Sequence, residues 1–240
     1  MRNLPVVTRY LLIANLFVFI LSAVLEKYGI RLWEYCGLFY TGLPQFHFWQ
    51  PFTYMFLHAN FWHLFMNMFA VWMFGPAIEH EFGTRRFLTF YLICGLGAAL
   101  VQELVWLATG TGAVTIGASG AVFGILFAFG WLFPNLPMFL LFIPIPIRAR
   151  VFVLLYAGFE LWQGLQDIHG SGGDNVAHFA HLGGFIFGWF LILYWKHINW
   201  REPDFGGMWE KCKSLFRRRH KRLDSAKKSD FDNYHYHKRV

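Results

Sequence analysis

The sequence predicts an all-α fold, a polytopic membrane bundle of six transmembrane helices. Of its 240 residues, 56% are hydrophobic and only 15% are charged, and the mean hydropathy is +0.38. An ordinary soluble domain carries more charge than this. The apolar residues also form stretches of about 20, the length that a helix needs to cross a bilayer core of about 30 Å.

Six apolar stretches have the length of a span. Helices are expected in all of them, because backbone groups in lipid need hydrogen-bond partners within their own segment. The first stretch is longer than the apolar part of a signal peptide, so we expect it to be retained. The predicted spans are residues 7–25, 61–78, 87–107, 116–133, 150–166 and 177–195.

Positive charges flank alternate connections between these spans. Arg2 and Arg9 lie before and at the start of the first span. Pairs of arginines lie between spans two and three and between spans four and five, and a basic segment follows span six. Connections rich in Lys and Arg stay in the cytoplasm. Both termini are therefore expected to be cytoplasmic, with six crossings between them.

The chain divides by charge into two parts. Residues 1–195, the predicted membrane domain, hold eight basic and eight acidic residues, whereas residues 196–240 hold thirteen and six. The second part is interpreted as a basic cytoplasmic tail, partly disordered. Its expected partner is the anionic headgroups of the bilayer. Nucleic acid is the alternative, but it is not expected, because basic runs beside a span commonly serve as orientation determinants.

Polar side chains inside two of the spans require an explanation, because they are costly in lipid. In span two, His63 and Asn67 are four residues apart and so share one helix face. In span six, His181 shares a face with Gly184 and Gly188. Imidazole and amide groups are thus predicted within the first turns of two helices that both start from the outer side.

A serine occupies the matching position in span four. Ser119 follows Gly117 and precedes Gly120. Glycines spaced by four allow membrane helices to approach closely, so glycine faces on spans four and six would bring Ser119 near His181. The histidine can then take the serine proton during nucleophilic attack. The donors available to the resulting oxyanion are the side chains of His63 and Asn67 and the backbone N–H of Ser119.

Each of these features also has a purely structural explanation. A serine among small residues is common in helix packing, and single histidines serve as interhelical hydrogen-bond partners. His58 is expected to support the site or to lie at the membrane interface. A metal site built from the histidines would lack a carboxylate or thiolate, and no His-Glu-x-x-His zinc motif is present. No metal or cofactor is therefore expected.

Together the motifs resemble those of the rhomboid intramembrane serine proteases over residues 7–195, including the six-helix topology of the family's minimal bacterial form. The resemblance is carried by His58-x4-His63-x3-Asn67, Gly117-Ala118-Ser119-Gly120 and Ala180-His181-x2-Gly184-x3-Gly188.

The resemblance implies roles for these residues. Ser119 would be the nucleophile and His181 its base, a dyad without an acidic member, while His63 and Asn67 would stabilise the oxyanion. Two positions depart from the family pattern. Trp49-Gln50 falls where the family usually has Trp-Arg, and Phe123 falls where many members have a tyrosine beside the catalytic histidine.

The function implied is that of a serine endopeptidase that cleaves transmembrane segments of other membrane proteins. The expected location is a bacterial cell membrane, as a multi-pass protein. The alternative is a non-catalytic rhomboid-like chaperone that binds transmembrane helices without cutting them. The intact pair of Ser119 and His181 favours the enzyme.

Overall fold

The computed structural model describes residues 4–110, 114–140, 143–168 and 177–197. These residues are mostly helical. Each of the six apolar stretches contains one helix, within a few residues of its predicted bounds. The six helices are α1 (Val6–Glu26), α4 (Phe61–Phe82), α5 (Thr84–Thr109), α6 (Ser119–Leu132), α7 (Ala149–Ile168) and α8 (His178–His197). The predictions for the basic tail concern residues that lie almost entirely outside the described part.

Four of these helices are long and apolar enough to cross a membrane: Val6–Glu26, Phe61–Phe82, Thr84–Thr109 and His178–Lys196. The helix α6 is apolar but has only 14 residues. The helix α7 has 20 residues, but it includes Arg150, Glu160 and Asp167. The structure therefore shows a membrane protein with at least four candidate spans.

The short helix α6 lies at the centre of the bundle. It packs against α4, α5, α7 and α8, and ten of its 14 residues are buried. A helix enclosed by others in this way is expected to be apolar on every side. This matches the sequence of α6, in which Ser119 is the only polar residue.

The helix α1 is held at its start by a carboxylate from α4. Glu79 is buried and accepts hydrogen bonds from the backbone N–H groups of Val7 and Thr8, at 2.9 and 2.8 Å. It also accepts one from the hydroxyl of Thr8, at 2.8 Å. The first N–H groups of a helix have no partner within the helix, and a negative charge there is favourable. Glu79 thus caps α1 from a different helix.

The connection between α1 and α4 is a structured loop. It contains the short helices α2 (Leu32–Cys36) and α3 (Gln50–Thr53), a 3-10 turn at Tyr54–Phe56, and the two-residue strand β1 (Leu38–Phe39). The strand pairs antiparallel with β2 (Val114–Thr115), so that Leu38 faces Thr115. The loop is therefore tied to the segment that leads into α6.

Gln50 holds this loop together from inside. Its side chain is fully buried. The amide nitrogen donates to the carbonyl oxygens of Gln45 at 2.9 Å and Tyr35 at 3.3 Å, and the amide oxygen accepts from the N–H of Phe39 at 3.3 Å. A neutral amide at this position can bind donors and acceptors at once, so the loop is tied together without an arginine.

A second antiparallel pair follows α6. Strands β3 (Pro137–Leu140) and β4 (Ile143–Arg148) form a hairpin in which Met138 faces Ile147. From sequence, this apolar stretch is expected to be a dip at the cytoplasmic face, because it is too short to cross and Pro144 and Pro146 break it. The residues of this stretch that the structure describes form the strand pair and not a helix.

Candidate active site

Ser119 is the first residue of α6, and the segment before it is shaped to present its hydroxyl. Gly117 has φ +129°, a conformation that side-chain-bearing residues rarely adopt. A Cβ there would lie 2.6 Å from Nε2 of His63. Glycine is therefore required both for the turn and for the close approach of the imidazole. The N–H of Gly117 donates to the carbonyl of Tyr54 at 2.9 Å, which fixes the turn to the loop.

The glycines of α6 and α8 are in direct contact. A Cβ on Gly184 would collide with the carbonyl oxygen of Gly120 and lie 3.3 Å from the nitrogen of Gly124, and a Cβ on Gly188 would lie 3.4 Å from Cα of Gly124. Backbone therefore meets backbone at this crossing, the packing that small residues allow between membrane helices.

This crossing places the serine and the histidine within hydrogen-bond distance. Nε2 of His181 lies 2.8 Å from Oγ of Ser119. Phe123, one turn along α6, stacks on the imidazole with ring centroids 4.2 Å apart and an interplanar angle of 10°. The stacked ring restricts rotation of the imidazole, and it needs no hydroxyl to do so.

The other side of the His181 ring meets a carboxylate. Oε2 of Glu160, on α7, lies 2.7 Å from Nδ1 of His181 and 2.7 Å from Nδ1 of His178. All three side chains are buried. The dyad implied by the resemblance therefore has an acidic neighbour in this chain. Sequence reasoning missed it, because Glu160 lies on a separate helix and has no motif around it. The cost of a charge inside an apolar segment was the available signal.

His63 lies on α4 beside the turn at Gly117, and Asn67 lies one turn further along the same helix. The side chain of Asn60 accepts from the N–H of His63 at 2.9 Å and caps the helix. Nδ1 of His63 faces the N–H of Ala59 at 3.4 Å, so the neutral ring would carry its proton on Nε2, the atom near Gly117. The amide nitrogen of Asn67 donates to the carbonyl of His63 at 2.9 Å, leaving a second N–H for another acceptor.

His58 contacts this group from the loop. It is buried, and its ring lies 5.0 Å from that of His63 in an edge-to-face arrangement. Burial, together with the neighbouring His63, lowers the pKa of His58 to about 3. The ring is therefore neutral at physiological pH and packs against His63 without adding charge to the site.

The cluster of Glu160, His178 and His181 also has the composition of a metal site. Each residue offers one ligand atom, and the three atoms lie within 4.8 Å of one another. The same three side chains form the two 2.7 Å hydrogen bonds described above. The carboxylate therefore has two N–H partners without a cation, and Nε2 of His181 is directed at a hydroxyl instead of at the cluster.

The fold is therefore that of a polytopic membrane protein built from apolar helices, and its candidate site holds a half-buried serine hydrogen-bonded to a histidine. Comparison with known proteins then identifies its family. The Rhomboid domain model matches residues 45–197. The chain therefore belongs to the rhomboid family.

Several curated proteins are similar to this chain. "Rhomboid protein 1, mitochondrial" of Saccharomyces cerevisiae is 32% identical over 64% of this chain and 45% of its own length. "Rhomboid-like protein 11, chloroplastic" of Arabidopsis thaliana is 31% identical over 78% of this chain and 63% of its own. "Presenilin-associated rhomboid-like protein, mitochondrial" of Bos taurus is 29% identical over 62% and 39%. The chain thus spans about half the length of the curated relatives it matches.

Proposed function

We propose that this protein is an intramembrane serine endopeptidase in which Ser119 is the nucleophile and His181 the general base. The observation that carries the proposal is the 2.8 Å distance between Oγ of Ser119 and Nε2 of His181. The rhomboid family includes both proteases and inactive relatives, and an inactive protein has no need for a serine and a histidine in this arrangement.

The reaction follows from the geometry. As Oγ of Ser119 bonds to the scissile carbonyl carbon, its proton passes to Nε2 of His181. The electron pair of the carbonyl moves to its oxygen. When the tetrahedral intermediate collapses, the C–N bond breaks and the proton is returned to the leaving amine. Water then releases the acyl group by the same steps in reverse.

Three groups are the proposed donors for the negative oxygen. Among the described residues no side chain caps the start of α6, so the N–H of Ser119 is available at the positive end of the helix. Nε2 of His63, which lies close to Gly117, and the second N–H of Asn67 are the other proposed donors. Preorganised donors of this kind are each worth about 100-fold or more in rate.

The proposed substrates are transmembrane segments of other proteins, and the proposed topology has six spans with cytoplasmic termini. A helix of 14 residues is about 21 Å long, shorter than the hydrocarbon core. With α6 enclosed by other helices, Ser119 can lie below the outer surface without exposing backbone to lipid. Labelling of single cysteines placed in each connection from one side of a vesicle tests this topology; reagent reaching the connections before and after α4 equally would contradict it.

The proposed location is a membrane, either of a bacterial cell or of an organelle. The expectation of a bacterial cell membrane is weakened by the mitochondrial and chloroplastic names of the relatives. Contact of the basic tail with anionic headgroups stays a prediction, which binding to vesicles with and without anionic lipid would test.

The decisive experiment compares cleavage of a single-span substrate by the wild type, Ser119→Ala and Ser22→Ala. Ser22 lies on α1 and serves as the matched serine. We expect Ser119→Ala to lose both cleavage and labelling by a fluorophosphonate, and Ser22→Ala to retain both. Equal cleavage by the wild type and Ser119→Ala would refute the assignment of Ser119 as the nucleophile. A wild type that binds the substrate without cleaving it would favour the non-catalytic helix-binding protein.

A further inference from the structure

The buried carboxylate on α7 calls for an explanation, because an isolated charge is costly in an apolar interior. Glu160 is only 3% exposed. Two N–H donors meet its Oε2 atom, one from His181 and one from His178, both at 2.7 Å. This length is typical of hydrogen bonds with an ionised partner. One oxygen of the carboxylate thus contacts two histidines of a single neighbouring helix, α8.

The two hydrogen bonds determine where His181 carries its proton. A carboxylate can only accept, so Nδ1 of His181 must be the donor and Nε2 must hold the lone pair. Nε2 is the atom 2.8 Å from Oγ of Ser119. A base that takes the serine proton needs this tautomer, and the opposite tautomer would direct an N–H at the hydroxyl instead.

We propose that Glu160 is a positioning residue for the active site, which fixes the tautomer of His181 and stabilises its protonated form, and that His178 holds the carboxylate in place. This inference rests on the proposed function. The chain would then use a serine, a histidine and a glutamate from three helices, in place of a dyad.

The proton balance during the reaction is simple. The serine proton goes to Nε2 of His181 and later to the leaving amine, and Glu160 stays ionised throughout. The positive ring formed in between lies against the carboxylate. Other ionisable groups near this pair are His63 on α4, Tyr156 and Asp167 on α7, and His178 on α8. The carboxylate that is hydrogen-bonded to His181 is that of Glu160.

The arrangement also links catalysis to the packing of α7. Ser119 and His181 belong to α6 and α8, which cross through their glycines, whereas Glu160 belongs to α7. The tautomer is set only while α7 lies against α8. A displacement of α7 would separate the carboxylate from both histidines and leave the serine without an oriented base.

The test uses the purified full chain and three variants, Glu160→Gln, Glu160→Asp and Glu103→Gln. Glutamine has nearly the shape of glutamate, but its amide can donate to Nδ1 and so permits the wrong tautomer. We expect Glu160→Gln to lower kcat by about 100-fold to 10,000-fold with little change in KM, as loss of an orienting carboxylate does in serine proteases. Fluorophosphonate labelling should slow in parallel. Glu160→Asp, which keeps the charge, should recover at least about a tenth of the rate.

Glu103→Gln is the matched control. Glu103 lies on α5, where it accepts from the N–H of Thr41 at 3.1 Å, and we expect this variant to keep the wild-type rate. A Glu160→Gln protein that folds and retains the wild-type kcat and labelling rate would overturn the inference. If Ser119→Ala is inactive in the same assay, the proposed function survives that result; if Ser119→Ala is active, the proposed function itself fails.

Should Glu160→Gln fail to fold, the tautomer can be measured directly. Nitrogen chemical shifts of His181 in the wild-type protein distinguish a proton on Nδ1 from one on Nε2. We expect the proton on Nδ1. A neutral ring with its proton on Nε2 would overturn the inference whatever the variants show.

Discussion

A methyl group added at Gly184 tests whether the helix crossing sets the geometry of the site. A Cβ on Gly184 would lie less than 3.0 Å from the carbonyl oxygen of Gly120, which is closer than Cβ atoms come to other atoms in real structures. It would also lie 3.3 Å from the nitrogen of Gly124. Both obstacles are backbone atoms of α6, so no side chain can rotate away. The two helices must move apart.

The size of the effect follows from the distances. Relieving the collision requires α6 and α8 to separate by on the order of 1 Å. Ser119 and His181 extend from these two helices, and their 2.8 Å hydrogen bond would lengthen beyond useful reach. A misplacement of about 1 Å at a reacting group costs on the order of 100-fold in rate, or about 2.7 kcal/mol. Overpacking lowers the free energy of unfolding by about 1–3 kcal/mol.

The assay compares Gly184→Ala with Gly158→Ala, using kcat/KM for a single-span substrate and the midpoint of thermal unfolding. Gly158 lies on α7, where an added Cβ meets nothing within 4 Å. We expect a fall of about 100-fold for Gly184→Ala and a change within about twofold for Gly158→Ala. A Gly184→Ala protein with the wild-type rate would refute the claim that this crossing positions the serine and the histidine.

Three further variants test other parts of the molecule. Asn67→Ala should lower kcat by about 100-fold with KM unchanged, because it removes an oxyanion donor; a change confined to KM would contradict that role. Gln50→Ala should destabilise the fold by about 1–3 kcal/mol, because the loop loses three hydrogen bonds to this buried amide, while the exposed Gln45→Ala should not. Glu79→Ala should cost at least about 3 kcal/mol of stability through loss of the α1 cap, and an equal effect from the exposed Glu81→Ala would exclude this explanation.

Much of the fold could be predicted from the sequence, because the signals are local. Each of the six helices appears as an apolar stretch of suitable length, and the start of α4 is marked by its capping residue Asn60. The structure of the loop between α1 and α4 could not be predicted in the same way. Its short strand pairs with a segment 76 positions further along the chain, and no local pattern indicates that pairing.

The two departures from the family pattern also separate what the sequence indicates from what only the structure shows. The sequence indicates that Gln50 replaces an arginine. Only the structure shows that its buried amide both accepts a backbone hydrogen bond and donates to two backbone carbonyls. The sequence likewise indicates that Phe123 lacks a hydroxyl. The structure shows that its ring stacks on His181, which is a matter of shape and not of hydrogen bonding.

By itself, the sequence determined that the protein is a bundle of membrane helices with a serine, two histidines and an asparagine inside it. Helical spacing places residues on a common face of one helix, and the glycines indicate which faces can approach closely. It does not determine which neighbour a third helix presents to the site. Only the tertiary structure decided that Glu160 lies against His181 and His178, because that contact depends on how α7 is rotated and placed beside α8. The acidic partner of the proposed base is therefore a property of the packing.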